Sequence, residues 1–341
     1  MKKKILGLSI IGILIAMLIT LTGCGDNTTT ENSNTDKIVS KVSILDNMKS
    51  VAQQQLDNMF NYNCEGWTQE IQNGMTETIQ DTAKSTKGIF KFEENGNTYY
   101  YYRGNVDDNY VEFAGYYWRI IRTNEDGTIR IIYAGTSPDA SGEDVSIGNT
   151  KYNLSASSLN MSGYTGNTDS KIKTYIETWY KENIANTEYD KYVATQTYIS
   201  DSSRGEDSFD SEIRIRYSAH DAESANPTLS KTNSTESYGG NYELKVGLLT
   251  VDEALMAGLN QVSGEGAVET YLSSGKGGKM FWTMSPYDMY DKAYIYTVGN
   301  QIYTSKVDNE LAVRPVISLN SDALNNMVGD GTKENPYKIS K

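Results

Sequence analysis

Apolar residues recur at helical spacing in the first part of the chain. Between positions 38 and 60 they return every three or four residues, as on one face of an α-helix, and a weaker stripe of the same period runs from 71 to 83. The stronger stripe consists of Ile38, Val42, Leu45, Met48, Val51, Ala52, Leu56, Met59 and Phe60. This pattern predicts an N-terminal helical segment over 37–86, with two helices on either side of a turn at 64–67.

From residue 88 onwards the pattern becomes that of β-strands separated by turns. Residues 88–93 and 98–103 lie on either side of a glycine-containing turn, and residues 116–123 and 128–135 lie on either side of another. Each pair therefore predicts a β-hairpin. In the second hairpin apolar side chains fall on both faces, which indicates a sheet that is covered on both sides.

Two further helices are predicted in the second half of the chain. Helical spacing returns at 169–184, where the predicted buried stripe is formed by Ile172, Tyr175, Ile176, Trp179 and Tyr180. Another helix is expected after Thr250, because Thr250 and Glu253 have the spacing of a capping box. Asp252 and Glu253 are therefore expected to serve the helix terminus.

The last quarter of the chain again has strand patterns. The Gly-Asn pair at 299–300 separates two strands as a hairpin turn, and Pro315, which lacks an N–H donor, predicts an edge strand or a bulge. Long polar stretches at 135–166 and 200–240 are predicted loops. Residues 87–341 are thus predicted to form one α+β domain, with a twisted antiparallel sheet of hairpins, two to three helices and long loops.

The N-terminus has the successive parts of a bacterial lipoprotein signal. Three lysines at 2–4 precede an uncharged apolar run over 5–21, and the sequence Leu21-Thr22-Gly23-Cys24 has the form of a lipobox. Residues 1–23 are therefore predicted to be a signal peptide. Cys24 would then be the lipid-carrying N-terminus of a protein held at the cell membrane and facing the extracellular side.

The residues after the lipobox extend this interpretation. Positions 24–36 contain no aliphatic side chain and predict a flexible tether between the lipid and the folded part. The membrane, contacted through the lipid, is thus one predicted partner. The alternative is an uncleaved membrane helix, because the apolar run is long enough to span a bilayer.

Composition limits the partners and the chemistry further. The 341-residue chain has a net charge of −13, which argues against nucleic acid as a partner. Its 26 tyrosines against 6 phenylalanines suit a β-rich domain with a hydrated surface. With Cys24 lipidated, Cys64 has no partner for a disulfide. It is expected to be a partly buried small residue, with a nucleophile as the alternative, and the single histidine, His220, gives a Cys-His pair weak support.

Metal sites and cofactors receive little support from the sequence. The sequence contains one histidine and no pair of free cysteines, so it predicts no set of zinc ligands, and no cofactor is predicted. Residues 124–128 and 329–335 carry oxygen ligands next to glycine, as calcium loops do. Neither has the length of an EF-hand loop, so plain turns are expected and calcium binding is the alternative.

Two blocks of sequence resemble a family of exported bacterial proteins. The first runs from Tyr100 to Tyr133 and contains Tyr-Tyr-Trp-Arg-Ile-Ile-Arg-Thr; the second, at 281–319, contains Trp-x-x-Ser-Pro and ends in Arg-Pro-Val-Ile-Ser-Leu. They are similar to a family of unknown function in clostridia, bacilli and relatives. Its terminal signature resembles C-type-lectin-like domains, including the fibrobacter major domain and the sulfatase-modifying-factor fold. The resemblance implies a C-type-lectin-like fold for 87–341. Sulfatase-modifying enzymes depend on active-site cysteines, and this chain has none after Cys64.

The resemblance also implies candidate site residues. In lectin-like folds a loop near the terminal hairpin often carries ligand contacts, which here gives Trp282, Tyr287, Tyr290 and Tyr294. Aromatic rings stack on sugars or fill hot spots of protein interfaces, although each of these rings could instead hold an ordinary core or strand position. Arg314 and Trp118 are expected to be structural, Arg314 by bonding backbone carbonyls or a carboxylate.

The predicted function is therefore binding without catalysis. A surface lipoprotein with a lectin-like domain would bind an extracellular or envelope glycan, peptide or protein through loops on a rigid scaffold. One alternative is a cell-envelope hydrolase that uses acidic residues in a cleft. Another is a structural subunit of an envelope complex that docks through the helix at 38–60. The sequence leaves the ligand and the oligomeric state open.

Overall fold

The computed structural model describes residues 44, 45, 48, 87–94, 96–154, 169–200, 229, 240–259, 269–273, 279–288 and 293–340. The predicted signal peptide, the tether, and Cys24, Cys64, His220 and Tyr290 lie outside the described residues. Three residues of the predicted segment 37–86 are described, Ile44, Leu45 and Met48, and all three are helical. Ile44 and Met48 are buried in the main hydrophobic core.

The described residues form a mixed α+β structure whose strands lie in three sheets. The strands are β1 (Gly88–Glu94), β2 (Asn97–Arg103), β3 (Tyr110–Phe113), β4 (Tyr116–Thr123), β5 (Ile129–Gly135), β6 (Asn149–Lys151), β7 (Gln196–Ser200), β8 (Gly240–Leu244), β9 (Val246–Gly247), β10 (Phe281–Asp288), β11 (Tyr294–Val298), β12 (Ile302–Lys306), β13 (Glu310–Ala312), β14 (Val316–Leu319), β15 (Met327–Val328) and β16 (Tyr337–Ile339). The predicted α+β class is thus confirmed.

The largest sheet is built around β4 and β5. Its strand order is β15-β16-β3-β4-β5-β14-β9. In addition, β2 pairs with β4, and β1 pairs with β2. All seven residues of β5 are buried, so this strand is covered on both faces, as the apolar pattern of the second hairpin predicted. The hairpins β1–β2 and β4–β5 are confirmed, while the pairing of β16 with β3 is parallel.

The second sheet has the order β12-β11-β10-β13-β6, and β7 and β8 form a third, two-stranded sheet. The predicted hairpin β11–β12 is confirmed, but its turn has three residues, Gly299, Asn300 and Gln301, because Val298 pairs with Ile302. The expectation that Pro315 marks an edge or a bulge is wrong. Residues 313–315 are instead the point at which the chain leaves β13 in the second sheet and enters β14, which lies between β5 and β9 in the first. Pro315 falls between two strands, so its missing N–H removes no ladder hydrogen bond.

Besides the helical residues at 44, 45 and 48, the described part of the chain contains three α-helices: α1 (Lys171–Tyr180), α2 (Val251–Met256) and α3 (Ser321–Asn326). Helix α1 begins at Ser170, whose hydroxyl accepts a hydrogen bond from the Lys173 backbone, and it runs into a π-helical turn over Lys181–Ala185. Helix α2 begins with the predicted capping box, since Thr250 and Glu253 each accept a hydrogen bond from the other's backbone N–H.

The main core contains a cluster of aromatic rings around Trp118. The Trp118 indole donates a hydrogen bond to the Phe113 carbonyl at 3.0 Å, and its ring meets Tyr133 edge-on. Tyr116 and Trp179 complete the cluster, with ring centroids 5.4 Å apart. Because β4 and β5 supply three of the rings and α1 the fourth, these contacts hold α1 against the sheet.

Five arginines are buried in the described part of the chain: Arg103, Arg119, Arg122, Arg130 and Arg314. Two of them share one carboxylate, because Glu253 accepts hydrogen bonds from Arg122 at 2.8 Å and from Arg130 at 2.5 Å. The Glu253 side chain has no exposed surface. Burial by itself would raise the pKa of Glu253, but Arg130 and Arg122 more than offset this effect and hold it at about 2.

Candidate functional site

The predicted aromatic site near the terminal hairpin is not assembled as expected. Trp282 has 0% exposed surface, its indole donates a hydrogen bond to the Thr150 carbonyl at 2.9 Å, and its ring meets Tyr152 edge-on. The expectation that Trp282 contacts a ligand is corrected by this geometry, because a ring with no exposed surface offers no face to a ligand. Trp282 joins β10 to β6 inside the core.

The neighbouring tyrosines differ widely in exposure. Tyr287 is 42% exposed and packs edge-on against the buried Tyr296, with ring centroids 5.2 Å apart. Tyr294 is partly buried at the start of β11, and Tyr290 lies outside the described residues. Among the predicted residues that are described, Tyr287 therefore offers the most open ring.

The two residues expected to be structural lie in the interior. Trp118 is at the centre of the aromatic cluster. Arg314 donates hydrogen bonds to the backbone carbonyls of Tyr133 at 2.9 Å and Leu272 at 2.7 Å, and its guanidinium lies 4.9 Å from the centre of the Phe281 ring. Burial and the nearby charge of Arg119 lower the pKa of Arg314 to about 9. These contacts fit the role that the sequence suggested, because Arg314 ties the crossover between the two large sheets to β5.

A groove beside α1 gathers aromatic and polar side chains at the surface. It has a volume of about 590 Å³. Its lining residues are Asn153, Leu154, Asp169, Ser170, Lys171, Thr174, Tyr175, Thr178, Trp179 and Glu182. Leu154 is 73% exposed, which is unusual for an aliphatic side chain that borders a concave surface. Hereafter this surface is called the α1 groove.

The helical period explains why α1 forms one wall of the groove. Lys171, Tyr175 and Trp179 are four residues apart and lie in one row along the helix, and Thr174 and Thr178 lie in the next row, which is exposed. The opposite side of α1 is buried in the core. The sequence placed Tyr175 and Trp179 on the buried stripe, but both are only partly buried and lie at its border.

The aromatic rings of the groove are held firmly in place. The Tyr175 hydroxyl donates a hydrogen bond to the Ile147 carbonyl at 3.1 Å, and burial raises the pKa of this hydroxyl. Trp179 packs against Tyr116, Trp118 and Tyr133, with ring centroids between 5.4 and 6.3 Å apart. The groove therefore presents rings whose positions are set before any ligand arrives, which lowers the entropic cost of binding.

Charged residues line both ends of the α1 groove, Asp169 and Lys171 at the start of α1 and Glu182 beyond its end. Next to the groove, Lys173 forms ion pairs with Asp169 at 3.0 Å and with Glu177 at 2.8 Å. Burial acts to lower the pKa of Lys173, but its hydrogen bonds to Glu177 and Asp169 raise it. Glu182, at the far end, is exposed. Apolar surface flanked by hydroxyl, amide and carboxylate groups suits a ligand that is itself amphipathic.

The two loops considered for calcium form hydrogen-bonded turns. In the first, an Asp126 carboxylate oxygen accepts hydrogen bonds from the Thr128 backbone at 3.1 Å and hydroxyl at 2.7 Å. In the second, Asp330 accepts the same pair of hydrogen bonds from Thr332. Among the described residues no group of three or more His, Cys, Asp or Glu side chains is arranged to hold a metal ion.

The part of the chain that the structure describes contains no helix long and apolar enough to cross a membrane. Comparison with known proteins gives no further guide: no family model matches the chain, and no curated protein or solved structure is significantly similar to it. The features that bear on function are therefore the geometry of the α1 groove and the sequence of the N-terminus.

Proposed function

We propose that the protein is a lipid-anchored surface lipoprotein that binds a glycan of the cell envelope or the extracellular medium without catalysis, through the α1 groove. The observation that carries this proposal is the pair of fixed rings, Tyr175 and Trp179, beside the exposed Leu154. A lipobox at Cys24 and a polar tether at 24–36 support a position at the membrane, within reach of envelope polymers.

A glycan suits the groove because the two are chemically complementary. A pyranose ring has an apolar face of C–H groups that stacks on aromatic rings, and a rim of hydroxyls that need hydrogen-bond partners. The groove offers Tyr175 and Trp179 for the first, and the hydroxyls of Thr174 and Thr178 for the second. The Thr174 hydroxyl donates to the Ser170 carbonyl and can still accept a hydrogen bond from a sugar. A peptide or a protein surface is the other ligand class that such a groove accommodates.

A binding screen on the full-length protein in detergent tests the proposal. Insoluble cell-wall glycan and an array of soluble glycans and peptides provide the candidate ligands, with and without a calcium chelator. We expect retention on at least one glycan class, unaffected by the chelator. Retention on peptides alone would contradict a glycan ligand and identify a peptide ligand instead. The proposal would also be contradicted if the protein bound none of these ligands and co-purified with another envelope protein.

Substitutions then locate the site. Thr178→Arg and Leu154→Asp place a long or charged side chain in the groove at exposed positions, where the fold tolerates the change. We expect each to weaken binding by at least about tenfold, or roughly 1.4 kcal/mol. Tyr287→Ala is the matched control, because Tyr287 is an exposed ring outside the groove, and it should retain affinity within about twofold. The reverse pattern would place the site at β10 and β11.

A further inference from the structure

Arg103 differs from the other four buried arginines in its hydrogen bonding. Arg122 and Arg130 share Glu253, Arg314 bonds two backbone carbonyls, and Arg119 bonds the Asn109 side chain and the Val106 carbonyl. Arg103 is 1% exposed, and its Nε, Nη1 and Nη2 atoms are all buried without a hydrogen-bond partner. A guanidinium carries five N–H donors, and none of those of Arg103 donates a hydrogen bond.

The surroundings of Arg103 are apolar and aromatic. The residue ends β2, and its guanidinium carbon lies 5.9 Å from the centre of the Phe90 ring. Burial lowers the pKa of Arg103, and the nearby Tyr101 hydroxyl only partly opposes this effect. No nitrogen of the guanidinium has a partner within hydrogen-bond geometry. A Cβ atom on Gly258 would lie 3.6 Å from the Arg103 side chain and 3.7 Å from the Thr270 side chain, so both side chains flank Gly258.

An arginine in this state is costly unless something compensates its charge. Burial lowers the pKa of Arg103, which means that the charged form is less stable here than in water. Leaving a buried charge uncompensated costs several kcal/mol, and buried polar groups without partners commonly mark an ion or a ligand site. Within the part of the chain that the structure describes, no carboxylate pairs with Arg103, and a cation–π contact at 5.9 Å offsets only a small part of this cost.

We infer that Arg103 is the binding group for a small oxyanion, of the carboxylate or phosphate class, at the end of β2 beside Gly258 and Thr270. Two oxygens of such an anion match the two parallel N–H donors of the guanidinium fork. The Tyr101 hydroxyl and the Thr270 side chain lie beside the same space. Arg103 does not line the α1 groove, so this inference is independent of the proposed function.

The test compares the unfolding midpoint of the full-length protein in chloride, acetate and phosphate at constant ionic strength. An anion that binds only the folded state stabilises it in proportion to the logarithm of its concentration. We expect the thermal midpoint to rise by several degrees with acetate, phosphate or both, relative to chloride. The anion that acts identifies the class, and a midpoint equal in all three salts would overturn the inference.

Two variants make the test specific to the site. Arg103→Met keeps the length of the side chain and removes the charge, so in chloride it should be at least as stable as the native protein, and its midpoint should not respond to oxyanions. Lys87→Met is the control, because Lys87 is a cation on the surface that should leave the response intact. An oxyanion response that is unchanged in Arg103→Met would overturn the inference.

A measurement that needs no variant covers the case in which Arg103→Met fails to fold. The side-chain N–H signals of ¹⁵N-arginine-labelled native protein would be followed during titration with phosphate and acetate. We expect one guanidinium signal to shift and saturate as its protons enter hydrogen bonds. Arginine signals that do not shift, or that all shift in parallel without saturation, would overturn the inference.

Discussion

Glu253 shows how one residue serves local and long-range structure at once. Its carboxylate completes the capping box with Thr250 at the start of α2, and it also neutralises two arginines on β4 and β5, Arg122 and Arg130. Arg130 also makes a cation–π contact, since its guanidinium carbon lies 4.5 Å from the centre of the Tyr198 ring. Removal of this single carboxylate would therefore leave two buried cations unpaired.

Glu253→Gln should be one of the most destabilising substitutions in the described part of the chain. Glutamine keeps the size of the side chain but loses the charge, so we expect a loss of about 3–5 kcal/mol in the free energy of unfolding. Urea denaturation followed by circular dichroism measures it. Glu334→Gln, at an exposed position, is the control and should change stability by less than about 0.5 kcal/mol.

The same carboxylate predicts how stability depends on pH. The pKa of Glu253 falls from 4.5 to about 2 on folding, so the folded state binds its proton less readily than the unfolded state. The resulting contribution, on the order of 3 kcal/mol, is fully present above pH 4.5 and is lost as the pH falls towards 2. Urea midpoints measured across this range should fall more steeply in the native protein than in Glu253→Gln. Parallel curves would contradict the assignment.

At the scale of elements, the close approach of β7 and β9 depends on a residue without a side chain. A Cβ atom on Gly247 would overlap the ring of Tyr198, and the Tyr198 hydroxyl donates a hydrogen bond to the Val316 carbonyl at 2.8 Å. The ring of one sheet thus lies directly on the backbone of another. Glycine is required here by the space available and not by a turn.

Gly247→Ala is therefore expected to destabilise the protein by about 2 kcal/mol or more, because the ring and the strand must separate. Gly299→Ala is the matched control: its Cβ would lie 3.4 Å from the nearest atoms of Met280 and Tyr303, which is tight but tolerable. We expect it to cost less than about 1 kcal/mol. Thermal unfolding of both variants measures the difference, and equal losses would argue against the close packing of Tyr198.

The elements themselves were largely predictable, while their arrangement was not. The hairpins β1–β2, β4–β5 and β11–β12 and the start of α2 follow from residues that are near one another in sequence. A proline lacks the N–H that a strand inside a sheet must donate, so it fits both at the edge of a sheet and in a segment between two strands. The sequence pattern alone does not distinguish these two positions for Pro315. The position that Pro315 takes depends on the second sheet, which brings together strands that are far apart in the sequence, such as β6 and β10.

The whole molecule has a predicted membrane end and a folded part rich in buried arginine. Ile44 and Met48 pack into the main core, so the predicted N-terminal helical segment is at least partly integrated with the domain. Of the apolar stripe at 38–60, Met48 is buried and Leu45 is partly buried, and the other stripe residues lie outside the described residues, so docking through this stripe stays a hypothesis.

The two cysteines allow a direct test of the anchor. Cys24→Ser removes the thiol to which the predicted lipid would be attached, so we expect the variant to leave the membrane fraction or to be retained as an unprocessed precursor. Cys64→Ser is the natural control and should remain in the membrane fraction. Cell fractionation with metabolic labelling by a fatty acid measures both. Lipid label on Cys24→Ser would contradict the lipobox assignment.

The candidate site shows the same division between local and global information. Helical spacing placed Tyr175 and Trp179 on one side of α1, but spacing alone does not tell how wide the covered stripe is. Trp282 was expected at the surface because the resemblance gave its place along the chain. Its burial depends on the Thr150 carbonyl, a partner 132 positions earlier.

The sequence by itself determined the strands, turns, helix caps and predicted export signal, because each depends on residues a few positions apart. Tertiary structure decided which side chains are covered and what the buried charges meet. Glu253 was recognisable as a cap from Thr250 three residues before it, whereas its arginine partner on β4 is 131 positions away. Burial and ion pairing depend on surfaces brought together from distant segments, so only the folded chain could show that Arg103 lacks a partner and that the α1 groove is open.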